Sequence, residues 1–183
     1  MPRRKILLDA CVAINLAATG SLDHIANTLQ VTFAIAAPAA AEVGFLRDVA
    51  GGQAVQTPIN LRQYEPSQVV EILELTPAEL GLYIELAALV DDGEAATISI
   101  AIQRHLDLAT DDRRARRLCQ ERHLAEPLRT VSLLRAHADA AQLADDQIQQ
   151  LITSIRERAS FQPPRSDPEL KWWNDHAKQA NTD

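Results

Sequence analysis

The chain has 183 residues, 46% of them hydrophobic, so it is long and apolar enough to bury a core, and a disordered polar chain is excluded. Aromatic residues make up only 4%, so the core must consist mainly of Ala, Leu, Ile and Val, which favours an α/β fold with helices packed on a parallel sheet. The net charge of −7 excludes a protein that holds nucleic acid by a broad positive surface, so any such contact must be local.

The cysteines and the first residues indicate the compartment. Cys11 and Cys119 lie far apart within predicted helices, which is no disulfide framework and is typical of a reducing environment. The run Arg3-Arg4-Lys5 and the apolar residues after it imitate a secretory signal, but Asp9 and Asn15 interrupt that run. Every apolar stretch is broken by charge before 18 residues. We therefore expect a cytoplasmic protein with no membrane segment.

The first third of the chain predicts two strands, each followed by helical sequence. In order, the elements are a strand over residues 5–8, helices over 11–17 and 21–29, a strand over 31–35 and a short helix that begins near Pro38. This short helix carries Glu42, and Pro38 suits its first turn. From Arg47 to Pro66, glycine and proline interrupt polar sequence, which predicts either an irregular excursion or a short hairpin.

The central part begins with a strand over residues 69–75. Thr76 is a good N-cap, Pro77 suits the first helical position, and Glu79 completes a capping box, which together open a helix to about Val90. The next helix is predicted over residues 94–105, after the break at 91–93. A strand over 106–110 and a helix to about residue 123, capped by Asp111 or Asp112, follow.

The last part predicts a short strand over residues 128–131 and helices over 132–138 and 145–158. This alternation of strand and helix indicates a three-layer α/β/α sandwich with a central parallel sheet, over residues 1–160. Residues 161–183 form a proline-containing linker and a tail with Trp172 and Trp173. We expect these tryptophans to dock on their own domain, in a dimer or on a partner, because an exposed pair would be a liability.

Several carboxylates lie in hydrophobic surroundings. Asp9 and Asp112 fall at carboxyl ends of predicted parallel strands, where ligand sites form, and Glu94 opens a helix that can face the same crevice. Each acid can also be a helix cap or a first-turn residue, stabilising its helix by ~1 kcal/mol, but caps do not explain Glu42, which follows three alanines. Converging carboxylates repel unless cations neutralise them, and hard oxygen ligands select Mg²⁺ or Mn²⁺. Such ions would activate a water for attack on phosphorus.

Four segments together resemble the PIN-domain ribonucleases, including the VapC-type toxins, over roughly residues 5–135. The segments are Leu7-Leu8-Asp9-Ala10, Ala41-Glu42-Val43, Asp92-Gly93-Glu94-Ala95-Ala96 and Ala109-Thr110-Asp111-Asp112-Arg113. The interval of eighteen residues between Glu94 and Asp112 (112 − 94) matches the family's third and fourth acids. Two positions depart from the pattern: Ala10 stands where the family has Thr or Ser, and Glu94 stands where many members have Asp.

The resemblance implies a function and a set of site residues. Catalysis and metal binding are assigned to Asp9, Glu42, Glu94 and Asp112, with Asp111 as a helper in metal binding. The implied activity is Mg²⁺- or Mn²⁺-dependent cleavage of single-stranded RNA by an endoribonuclease, the toxin of a toxin–antitoxin pair, with a cognate antitoxin and a homodimer as partners.

Arginines follow the fourth acid directly, at positions 113, 114, 116 and 117. They can form a solvated helix face, or they can supply the local positive charge that RNA needs, and we assign Arg113 and Arg114 to substrate binding. Two other functions stay open. One is a PIN-like protein that binds RNA or a partner with weak catalysis, and the other is a nuclease that acts on DNA with the same metals.

Overall fold

The computed structural model describes residues 3–177, so residues 1, 2 and 178–183, which include the end of the predicted tail, lie outside the described part. The strands are β1 Arg4–Leu8, β2 Val31–Ala36, β3 Phe45–Ala50, β4 Gln53–Pro58, β5 Val70–Leu73 and β6 Asp107–Ala109. The helices are α1 Ala10–Ala18, α2 Leu22–Leu29, α3 Ala37–Glu42, α4 Pro77–Ala87, α5 Asp92–Arg104, α6 Arg113–Glu121, α7 Thr130–Ala141, α8 Asp145–Ser154 and α9 Leu170–Ala177. A 3-10 helix, Leu61–Tyr64, precedes β5, and a π-helical segment, Ile155–Ala159, extends α8.

The central sheet is parallel, in the order β5-β2-β1-β6. All six residues of β2 are buried, as is expected of an inner strand covered on both faces. Helix α5 packs on β1, β2 and β6 with α4 against it, and α2 packs on β2 with α7 against it. The predicted three-layer α/β/α sandwich is confirmed. It places the carboxyl ends of β1 and β6 side by side, since Leu8 pairs with Ala109.

The strand predicted over residues 128–131 is wrong. Leu128 makes only an isolated parallel bridge to Ala109, and α7 begins two residues later at Thr130. The cause is a long-range contact: the Asp111 carboxylate accepts the N–H of Thr130 at 3.0 Å, which satisfies a donor at the start of α7. The hydroxyl of Ser132 accepts the N–H of Arg129 at 2.9 Å and closes the same turn.

Residues 45–58 form the hairpin that was one of two predicted alternatives. Strands β3 and β4 pair antiparallel through Gly51 and Gly52, both at positive φ, where glycine carries no steric cost. Leu46 faces the core, and Asp48 accepts hydrogen bonds from the Arg158 guanidinium at 2.7 and 3.3 Å. The hairpin is thereby tied to the π-helical segment.

The tail docks on its own chain. Helix α9 packs on α7 and α8, and Trp173 is only 2% exposed, with the Phe161 ring edge-to-face at 5.7 Å. The buried Asp167 pairs with Arg129 at 3.2 Å, so the tail also contacts the residue before α7. Among the described residues, no helix has the length and apolar character needed to cross a bilayer.

Candidate active site

Asp9 stands at the carboxyl end of β1 and caps α1. Its Oδ1 accepts the N–H of Ala10 at 2.8 Å, and its Oδ2 accepts the Thr110 hydroxyl at 2.8 Å and the Cys11 thiol at 3.3 Å. The residue is 5% exposed. Burial raises the pKa of Asp9 above its usual range, although these hydrogen bonds oppose the shift. The carboxylate is therefore fixed in place by its hydrogen bonds.

Glu42 ends α3 and reaches the first turn of α5. Its Oε1 accepts the N–H of Gly93 at 3.0 Å. A Cβ on residue 93 would stand 2.4 Å from Oε1 and 2.6 Å from Cδ of Glu42, closer than real Cβ atoms approach. Glycine at position 93 is thus required for this carboxylate to lie where it does. Burial and then the charge of Asp91 raise the pKa of Glu42.

Glu94 lies in the first turn of α5, which begins at Asp92, two residues earlier than predicted. The earlier start has a simple cause, since the Asp91 side chain accepts the N–H of Glu94 at 2.9 Å and caps the helix. Glu94 itself is partly buried. The cap places Asp91 and Glu94 on the same turn at the start of α5.

Asp112 caps α6. Its Oδ1 accepts the N–H groups of Arg114 at 2.6 Å and Ala115 at 2.8 Å. The N–H of Asp112 donates to the Thr110 hydroxyl at 3.1 Å, and that same hydroxyl donates to Asp9. Thr110, which is 1% exposed, therefore links the first and fourth acids across the sheet.

The Asp111 side chain contacts α7 and α1. Its Oδ1 accepts the N–H of Thr130, and its Oδ2 accepts the Thr130 hydroxyl at 2.6 Å and the Asn15 amide at 3.2 Å. Both oxygens are therefore engaged by α7 and α1. This arrangement favours a structural role for Asp111 over the predicted help in metal binding.

The family model for the PIN domain matches the chain from residue 5 to residue 165. The chain belongs to the PIN-domain family. Membership implies nuclease activity in general, and PIN nucleases bind nucleic acid. The comparisons with curated proteins and with solved structures each gave no match.

The acids of this PIN domain act on one another electrostatically. Burial first, and then the negative charges of Asp112, Asp91, Asp9 and Glu42 in that order, raise the pKa of Glu94 to about 8. A carboxyl group that stays protonated near neutral pH beside other carboxylates marks a site with uncompensated negative charge.

The donor set fits a hard divalent cation of the kind that PIN domains typically use. The donors are carboxylate oxygens, which Mg²⁺ and Mn²⁺ prefer, and a cation would relieve the repulsion that raises the pKa of Glu94. Within residues 3–177, however, no three His, Cys, Asp or Glu side chains are grouped closely enough to hold an ion. The carboxylates would have to close around it.

The predicted arginines lie on α6, beside the acids. Arg113 and Arg114 are exposed, and within the described part of the chain neither makes an ion pair. Arg116 pairs with Glu126, and Arg117 pairs with Glu121 at 2.9 Å. The two predicted substrate-binding arginines are therefore available to an anion.

Three residues of the site were not predicted from the sequence: Asp91, Gly93 and Thr110. Asp91 has a local signal, because an Asp three residues before a helix-opening Glu is a candidate N-cap. Gly93 also has one, since glycine inside a helix costs about 1 kcal/mol and calls for a reason. Thr110 gives only the weak signal of a hydroxyl at the end of a buried strand.

Proposed function

We propose that this PIN domain is a Mg²⁺- or Mn²⁺-dependent endoribonuclease that cleaves single-stranded RNA. The observation that supports the proposal is that carboxylates from three other segments act electrostatically on Glu94. Burial, and then the charges of Asp112, Asp91, Asp9 and Glu42, raise the pKa of Glu94 to about 8. Helix caps alone would not require acids of separate segments to act on one another.

Asp9, Glu42, Glu94 and Asp112 would hold the cation, which supplies an activated water and stabilises the leaving oxygen. The chain's own contribution is to hold these groups in place. Asp9 is fixed by hydrogen bonds, and Glu42 is fixed by the Gly93 N–H. Glu94 holds a proton near neutral pH and must release it when a cation arrives, so affinity for the cation should rise with pH. Arg113 and Arg114 would contact the substrate's phosphates.

Replacement of Asp9 tests the proposal. The Asp9→Asn variant should fold, as circular dichroism would show, and should lose Mn²⁺-dependent cleavage of a labelled single-stranded RNA. Asp139→Asn is the matched control, because the Asp139 side chain is exposed on α7, where it pairs with Arg135 at 3.8 Å. Cleavage that survives in Asp9→Asn would refute the metal mechanism. Single-stranded DNA, incubated in parallel, tests the RNA preference.

A second candidate is a PIN-like protein that binds RNA or a partner with little catalysis. It is favoured by the fact that no three carboxylates of the described part are grouped around a common point. This candidate predicts RNA binding that is independent of Mn²⁺, with no cleavage in either wild type or Asp9→Asn. The nuclease predicts both binding and cleavage.

The toxin role, the cognate antitoxin, the homodimer and the cytoplasmic location rest on the sequence resemblance and on the free thiols of Cys11 and Cys119. Expression of the wild-type chain should arrest growth, and co-expression of a small protein encoded beside it should relieve the arrest. Normal growth during expression of an active nuclease would count against the toxin role. Light scattering after gel filtration measures the oligomeric state.

A further inference from the structure

A cavity of about 280 Å³ lies on the outer side of α6. Its walls are Arg113, Arg116, Arg117, Gln120 and Glu126. Four of these five side chains come from two turns of one helix, at positions i, i+3, i+4 and i+7, which share a helix face. Arg114 falls on another side of the helix and is not part of the wall.

The cavity has more positive than negative charge around it. Two of its three arginines are paired with glutamates: Arg116 pairs with Glu126, and Arg117 pairs with Glu121. The third, Arg113, has no carboxylate within 4.0 Å in residues 3–177. Glu126 is also shared with Arg129, at 3.8 Å. A local excess of positive charge stands out in a chain whose net charge is −7.

One donor in the wall has no acceptor. The Nε of Arg116 is buried, and no hydrogen-bond partner for it exists among the described residues. A buried donor without an acceptor costs about 1–3 kcal/mol, so a rotation of the Arg116 side chain that brings Nε–H to a ligand oxygen would be favourable. The guanidinium group is planar and suits the tetrahedral oxygens of phosphate.

We propose that this cavity, the α6 pocket, binds one backbone phosphate of the nucleic-acid strand, outside the phosphate that is cleaved. The proposal rests on the proposed nuclease function. Its location supports it: Arg113 directly follows Asp112, and the three arginines of the wall lie within about 8 Å of Asp112 along the helix axis, at roughly 1.5 Å per residue. A strand that crosses the acids would therefore run past the pocket.

The α6 pocket recognises the charge of the phosphate and does not distinguish ribose from deoxyribose. Guanidinium groups contact phosphate oxygens, which RNA and DNA share, and these contacts position a strand without selecting its sequence. The α6 pocket therefore contributes affinity to both nucleic acids. An acidic peptide is the rival occupant, and it would leave nucleic-acid binding independent of the pocket.

The test is a salt titration of binding in EDTA, where no metal-dependent cleavage occurs. A fluorescent single-stranded 12-mer, as RNA and as DNA, is titrated with the full chain, and log K is plotted against log salt. The double variant Arg113→Gln, Arg117→Gln removes two exposed charges, so it should fold. If the pocket holds one phosphate, the slope of log K against log salt for the double variant should be less steep than that of the wild type by about 0.7. The affinity of the variant for the RNA and for the DNA should fall roughly threefold to tenfold. Arg156→Gln, an exposed arginine outside α6, is the control.

A spectroscopic measurement follows the buried donor directly. In a chain labelled with ¹⁵N-arginine, the Arg116 Nε–H signal should shift when the DNA 12-mer is added, and the shift should be smaller in the double variant. Wild-type slope and affinity in the double variant would overturn the proposal. If that variant still binds and cleaves RNA normally, the nuclease function stands and only the pocket fails. If the wild type neither binds nor cleaves RNA, both the nuclease function and the phosphate pocket fail. If the double variant loses binding to an acidic peptide but binds nucleic acid as the wild type does, the pocket belongs to the peptide.

Discussion

Replacement of Gly93 by alanine should displace the Glu42 carboxylate and slow cleavage while leaving the free energy of unfolding nearly unchanged. An added Cβ would lie 2.4 Å from Oε1 and 2.6 Å from Cδ of Glu42, so the carboxylate must move and release the Gly93 N–H. The movement is easy, because the carboxylate is the end of a flexible side chain. Gly93 is helical and has no positive φ, so alanine fits the backbone itself.

The two energetic effects of Gly93→Ala nearly cancel. Alanine is favoured over glycine inside a helix by about 0.8–1.0 kcal/mol. Loss of the hydrogen bond to Glu42 costs roughly 0.5–1.5 kcal/mol, the usual net value for such a bond. The net change in the free energy of unfolding should stay within about 1 kcal/mol, or roughly 2–4 °C in melting temperature. Cleavage, in contrast, should slow by a factor on the order of 10–100, as when a metal ligand loses its orienting partner.

Single-turnover cleavage of a labelled RNA, with Mn²⁺ and enzyme in excess, measures this effect. Gly81→Ala is the control, since a Cβ there meets open space on α4, and it should gain about 0.8–1.0 kcal/mol with unchanged cleavage. Glu42→Ala combined with Gly93→Ala should be little slower than Glu42→Ala alone, because Gly93→Ala acts only by displacing the carboxylate that Glu42→Ala removes. Full activity in Gly93→Ala, or rate effects that multiply in the double variant, would refute the reasoning.

Three further predictions concern stability. The Arg104 guanidinium donates hydrogen bonds to the buried Glu79 and lowers the pKa of Glu79 from 4.5 to about 2. This pair therefore stabilises the folded protein fully above pH 4.5, and the stabilisation is lost as the pH falls from 4.5 to about 2. Urea unfolding should show a loss on the order of 3 kcal/mol over that window, absent in Glu79→Gln; equal pH profiles would contradict this. Asp167→Asn should cost about 1.5–3 kcal/mol, because Arg129 loses its buried partner and keeps the exposed Glu126 at 3.8 Å, and a change below about 0.5 kcal/mol would mean that the tail does not brace the fold. Mn²⁺ at a hundredfold its Kd should raise the unfolding free energy of the wild type by about 2.7 kcal/mol, less in Asp9→Asn, and EDTA should reverse the gain.

Local sequence signals were enough for the fold. Buried strands are short apolar runs, helix starts carry caps such as Thr76 and Asp112, and both signals depend only on neighbours in the chain. The prediction failed at residues 128–131 because a distant carboxylate, Asp111, starts α7 at Thr130. A β-prone Val131 could not reveal that contact.

The candidate site was predictable to the level of which acids follow which elements. The contacts that orient them were not, because they join residues far apart in sequence: Glu42 and Gly93 are 51 residues apart, and Asp9 and Thr110 are 101 apart. The α6 pocket could be predicted in part. Helical spacing places Arg113, Arg116 and Arg117 on one face, but the buried, unpartnered Nε follows from packing that the sequence does not display.

The central claim is that the carboxylates at the ends of β1 and β6 bind a divalent cation. A crystal soaked in Mn²⁺, with anomalous differences measured, tests it most directly. The account predicts a peak within about 2.5 Å of carboxylate oxygens from Asp9 and at least two of Glu42, Glu94 and Asp112. A peak elsewhere, or none at a Mn²⁺ concentration that supports cleavage, would contradict it.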